Sequence, residues 1–133
     1  MSVLQRMAAI LPDTAGVNAK GHLTLGACDV VKLAAEFGTP LYIFDEATLR
    51  RSCASFRKEL GQRHSDALVI YAAKAFISRP LARIISEEGL GLDVVSGGEL
   101  SIAKSADFAM DRVYFHGNNK LPEEIKPAID WGI

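Results

Sequence analysis

Apolar positions along the chain fall alternately on helical stripes and in short unbroken runs. Asp29 to Phe37 places Val30, Leu33, Ala34 and Phe37 at helical spacing, and Gly38 follows as a C-terminal stop. Thr39 to Phe44 is a short apolar run that predicts a strand, with Pro40 near its start where a missing amide is tolerated. Asp45 is placed to cap a helix reaching Gly61, whose stripe is Leu49, Cys53, Phe56 and Leu60. Arg50, Arg51, Arg57 and Lys58 lie off that stripe, as a solvated face would. Ala67 to Ala75 does not alternate and contains β-branched Val69 and Ile70, so it predicts a strand covered on both faces.

The second half repeats the alternation. Ser78, with Pro80 in the first turn, opens a helix that buries Leu81, Ile84 and Ile85 and ends at Gly89. Leu90 to Val95 predicts a strand, Gly97 to Ala106 a short helix, and Arg112 to Phe115 another strand. Pro122 opens a last helix with Glu123 and Glu124 where carboxylates favour the dipole; Ile125 and Ile129 are expected to face inward, with Gly132 at the exit. Residues 1–25 predict an arm or short hairpin with a turn over Asn18 to Gly21. Strands alternating with helices imply an α/β fold with parallel pairing. An open doubly wound sheet and part of a (β/α)8 barrel both fit. A closed barrel needs eight strands and on the order of 250 residues, so a chain of 133 residues would supply about half of one.

Composition narrows the function classes. Apolar residues make up 49%, enough for a core, and 15 basic against 16 acidic residues leave no footprint for nucleic acid or an anionic membrane. No apolar run is long enough for a membrane span or a signal-peptide core. Cys28 and Cys53 have neither metal-binding spacing nor a disulfide framework, and read as reduced thiols of a cytoplasmic protein, Cys53 in the core.

Candidate chemistry collects at the predicted strand ends. Lys74 closes the run Ala67–Ala75; if buried there it would be pushed toward its neutral, nucleophilic form, able to attack a carbonyl. A lysine snorkelling to water from a strand end is the structural alternative. Asp93 interrupts the apolar run Leu90–Val95 and needs a partner, for which Lys74 on the adjacent strand is a candidate; the alternative is a carboxylate turned to solvent. Ser96-Gly-Gly-Glu99 has capping-box spacing, so Ser96 and Glu99 are expected to satisfy helix amides, and Glu99 can also face a site. His116 follows the last predicted strand and begins His116-Gly-Asn-Asn-Lys120, with Asn118 near the same edge. In parallel α/β folds that edge carries the chemistry.

Three strings together, Tyr71-Ala-Ala-Lys-Ala75, Asp93-Val-Val-Ser-Gly-Gly-Glu-Leu100 and His116-Gly-Asn-Asn-Lys120, resemble the N-terminal part of the diaminopimelate decarboxylase family. Gly38 to Asp45 extends the resemblance, which covers nearly the whole chain. The resemblance implies the alanine-racemase-like barrel class, the cofactor pyridoxal 5'-phosphate, a small amino-acid substrate and a homodimer. It implies Lys74 as the attachment point, with Ala72, Asp93 and His116 at the cofactor, Glu99 and Asn118 near the site, and no metal. It further implies that residues 1–133 are an incomplete N-terminal barrel domain without the C-terminal β-domain, inactive alone. Related arginine or ornithine decarboxylases, a Schiff-base lyase without cofactor, and a non-catalytic small α/β binding module are the alternatives. Phe76 departs from the family, many of whose members carry asparagine there.

Overall fold

A computed structural model of the chain describes residues 6–7 and 9–133; the part of the predicted arm over residues 1–5 and 8 lies outside the described residues. Contacts divide the chain into two compact units, through Ser52 and from Cys53 onward.

In the first unit, β1 (Gly16–Val17), β2 (Leu23–Leu25) and β3 (Cys28–Asp29) form an antiparallel sheet in that order. The predicted turn joins β1 to β2. Asn18 N–H donates to His22 O at 3.0 Å, and the Asn18 side chain accepts from Lys20 and His22 amides at 2.9 and 3.1 Å. The β2–β3 link is a two-residue reversal with positive φ at both Gly26 and Ala27 (55° and 65°), the geometry that matches strand twist. Helix α1 (Val30–Phe37) follows. It is capped by Asp29, which accepts from Val31 N–H at 2.9 Å, and closed by Gly38 at φ 82°. Asp45 caps α2 (Glu46–Gly61) through Thr48 N–H at 3.0 Å. The strand expected over Thr39 to Phe44 does not form: among the described residues no β-ladder includes the segment, and Tyr42 is 89% exposed. An apolar run becomes a strand only when another edge satisfies its amides.

In the second unit, β4 (Ile70–Ala72), β5 (Gly91–Val94) and β6 (Val113–Phe115) form a parallel sheet in the order β4-β5-β6. Between and after them come α3 (Arg79–Glu87), α4 (Gly97–Ser105) and α5 (Pro122–Asp130). Ser78 caps α3 as expected. Central β5 is covered by helices, so Leu92 and Val94 are fully buried together with Ile85 and Leu100.

Three expectations fail here because exposure follows what packs against a position, not its apolar character alone. The lysine run is an edge strand of only three residues, with Leu68 and Ile70 partly exposed, rather than a strand covered on both faces. On α5, small Ala128 packs inward while Ile125 and Ile129 stay exposed. On α2, Cys53 is buried as predicted, but Phe56 of the same stripe is 68% exposed.

Candidate functional site

The apolar ladder of β4 ends at Ala72, and the chain tightens at once into a 3-10 turn over Ala73–Ala75. Ala73 is buried and anchors the turn, while Lys74 at its centre is exposed. Among the described residues the Lys74 amine makes no hydrogen bond or ion pair. Tyr71, half-buried in β4, donates its hydroxyl to Phe76 O at 2.8 Å and so spans the turn. Burial pushes the Tyr71 phenol above its ordinary value, and the neighbouring Cys53 thiol acts in the same direction.

The register fixes what stands beside the turn. Ala72 pairs with Asp93, and Asp93 with Tyr114, so Lys74 and His116 each lie two residues beyond partners of Asp93 on either side of β5. Asp93 is half-buried, and its Oδ2 lies 3.6 Å from His116 Nδ1. That distance suits an ion pair when the imidazole is protonated but is too long for a good hydrogen bond. His116 is placed by its own N–H, which donates to Val94 O at 2.9 Å and prolongs the β5–β6 ladder. The partner the structure gives Asp93 is thus His116, where sequence suggested Lys74.

Beyond β5, Ser96 Oγ accepts from Glu99 N–H at 3.3 Å, as the capping spacing predicts. The return bond differs: Glu99 Oε2 accepts from Val95 N–H at 2.7 Å, one residue earlier than a capping box requires. Sequence reasoning missed a second carboxylate here. Glu124, from the start of α5, accepts from Gly97 N–H at 2.7 Å and from Leu121 N–H at 3.1 Å. Those backbone donors hold its carboxyl below the ordinary range. Glu124 therefore takes the α4 amide that an anion would otherwise use. Its early position in α5 signals a favourable dipole, but not that it reaches another helix.

Asn118 lies exposed in the loop after His116, where Lys120 turns back onto Gly117 O and over the Phe115 ring at 4.9 Å. A cleft of about 690 Å3 lies elsewhere, between β6 and α5. Of the candidate residues only His116 lines it, and Lys74 lies exposed away from it. Among the described residues no helix is long and apolar enough to cross a membrane, and no group of three or more His, Cys, Asp or Glu side chains could hold a metal ion.

Residues 46–133 match the family model described as "Pyridoxal-dependent decarboxylase, pyridoxal binding domain". A diaminopimelate decarboxylase from Halalkalibacterium halodurans is 45% identical over 120 residues, covering 90% of this chain and 27% of the relative. The Methanothermobacter thermautotrophicus enzyme of the same name is 42% identical over 117 residues, covering 88% and 27%. A crystal structure of the M. jannaschii diaminopimelate decarboxylase superposes with a TM-score of 0.77 at 33% identity, over 91% of this chain and 29% of that one. The chain spans about a quarter of the length of the curated relatives it matches.

Proposed function

The chain belongs to the pyridoxal-dependent decarboxylase family, through its pyridoxal-binding domain, and from that premise we propose that it forms the lysine-bearing part of a decarboxylase acting on meso-diaminopimelate to give L-lysine. The reading concerns a protein of the relatives' length, in which residues 1–133 are the first part of a (β/α)8 barrel preceding a C-terminal β-domain. The single observation that carries it is the unpaired amine of Lys74 on a tight turn at the C-terminal end of a parallel strand.

The donor set suits pyridoxal phosphate in its reactive half. An exposed primary amine answers an aldehyde, and a carboxylate and an imidazole stand at the next strand ends. The phosphate is assigned to no residue here, because Glu124 already holds the Gly97 amide. Bound pyridoxal phosphate supplies an electron sink for loss of a carboxylate. The chain's own residues do the rest: Lys74 attaches the group, Ala72 leaves room beside it, and Asp93 and His116 orient its polar edge. Glu99 and Asn118 border the same edge.

The chain alone is expected not to turn substrate over. Both β4 and β6 are edge strands, and unpaired edges invite association. Apolar Ile70, Tyr114, Ile125 and Ile129 also remain in water. A homodimer and a cytoplasmic location belong to the same proposal; sedimentation of the relatives-length protein checks the first. The reading itself is tested by a chimera in which this chain replaces the matching segment of the Halalkalibacterium halodurans enzyme. Carbon dioxide release from meso-diaminopimelate, abolished by Lys74→Ala, is expected. Release from arginine or ornithine alone would overturn the substrate assignment, and an active Lys74→Ala chimera would overturn the attachment point.

A further inference from the structure

Resting on the reading that Lys74 is the attachment point, we propose that Tyr71 is its positioning residue: the Tyr71 hydroxyl, bonded to Phe76 O at 2.8 Å, closes the turn that presents the Lys74 amine. The turn also packs against β5. Its N-cap, Ala72, has no side chain able to cap, and after Ala75 the chain leaves in fully extended conformation at Phe76 (φ −178°, ψ 139°). Buried Ala73 fixes the entry, and the Tyr71 bond fixes the exit. A lysine has four rotatable side-chain bonds, so its amine is only as well placed as the backbone that carries it. Holding both ends of a three-residue turn confines that backbone, which is where positioning gains arise.

The aromatic ring and the hydroxyl have separable tasks. The half-buried ring packs within the unit, and the hydroxyl alone reaches across the lysine. Burial raises the phenol above its ordinary value, which favours the protonated, donating form. Tyr71→Phe therefore removes the clasp and keeps the packing.

The test uses the full chain, wild type and Tyr71→Phe, treated with pyridoxal phosphate, quenched with borohydride and mapped by peptide mass spectrometry. The limiting rate of labelling at Lys74 is expected to fall about three- to tenfold, the range one neutral hydrogen bond supports. The half-saturating concentration and the labelling of Lys104 and Lys120 should stay unchanged. A residue that only stabilised the fold would move all sites together. Amide exchange at residues 74–77, read relative to the β5 amides so that global opening cancels, should accelerate by a similar factor. Unchanged Lys74 labelling in Tyr71→Phe, with wild type labelled there, overturns this inference alone. Absence of Lys74 label from the wild-type chain overturns the attachment reading and this inference with it.

Discussion

The two units of the chain are held together by different physics. Among the described residues every buried apolar side chain lies at or after Cys53, and the one buried residue before it is a carboxylate, Asp45. The first unit is a set of polar clasps. Asp45 accepts from Thr14 Oγ1 and from the Thr48 amide and hydroxyl, Arg51 pairs with Asp13, and Asp29 ties His22 and Asn18 to the start of α1. The second unit is an apolar sandwich around β5. The lesson concerns function: the proposed chemistry stands on the apolar unit, where a rigid sheet sets the spacing of Lys74, Asp93 and His116, while the polar unit supplies none of the candidate residues.

That contrast can be broken most forcefully in the core of β5. Leu92→Ala removes a fully buried side chain and should cost the second unit about 2–5 kcal/mol, seen as a lowered urea midpoint. A loss under about 1 kcal/mol would mean that the sandwich is looser than its burial indicates. Ser78→Ala removes the cap of α3, with Leu81 N–H as its lost donor, and should cost about 0.5–2 kcal/mol in the same assay.

Acid should act on the first unit instead. The His22 imidazole beside Asp29, with amide and Asn18 donors, holds the Asp29 carboxyl down to about 2 from an ordinary 3.8. A carboxylate lowered by folding stabilises above its unfolded value, and that contribution is lost as pH falls from about 4 through 2. Asp45 is lowered too, chiefly by the Thr48 hydroxyl, and works in the same direction. The Val31 and Lys32 amide resonances should titrate in that window while those of β5 stay put. Equal movement in both units would erase the distinction. The smallest effect is expected at Phe56, which is 68% exposed: Phe56→Ser should shift stability by under about 0.5 kcal/mol.

Phe56 also shows how far sequence reached. Helical spacing located α2 and its cap at Asp45, but could not tell which of Cys53 and Phe56 faces the core, because a stripe has a width and burial depends on what packs against it. Local chemistry was legible wherever a residue acts on its own neighbours: Asp45, Ser78 and Ser96 all cap the helices they precede. Contacts between elements were not. Glu124 reaching Gly97 depends on how two helices pack, and Asp93 facing His116 on a register that only the folded sheet sets. The missing strand at Thr39 to Phe44 is the same lesson at the level of backbone.

The claim on which the rest depends is that one amine, at the end of β4, is set apart from the chain's other lysines. Stoichiometric treatment of the full chain with pyridoxal phosphate, borohydride reduction and quantitative peptide mapping tests it directly. The account predicts a dominant single adduct on Lys74, above Lys20, Lys32, Lys58, Lys104, Lys120 and Lys126. Label spread across these in proportion to their exposure, with no preference for Lys74, would contradict it.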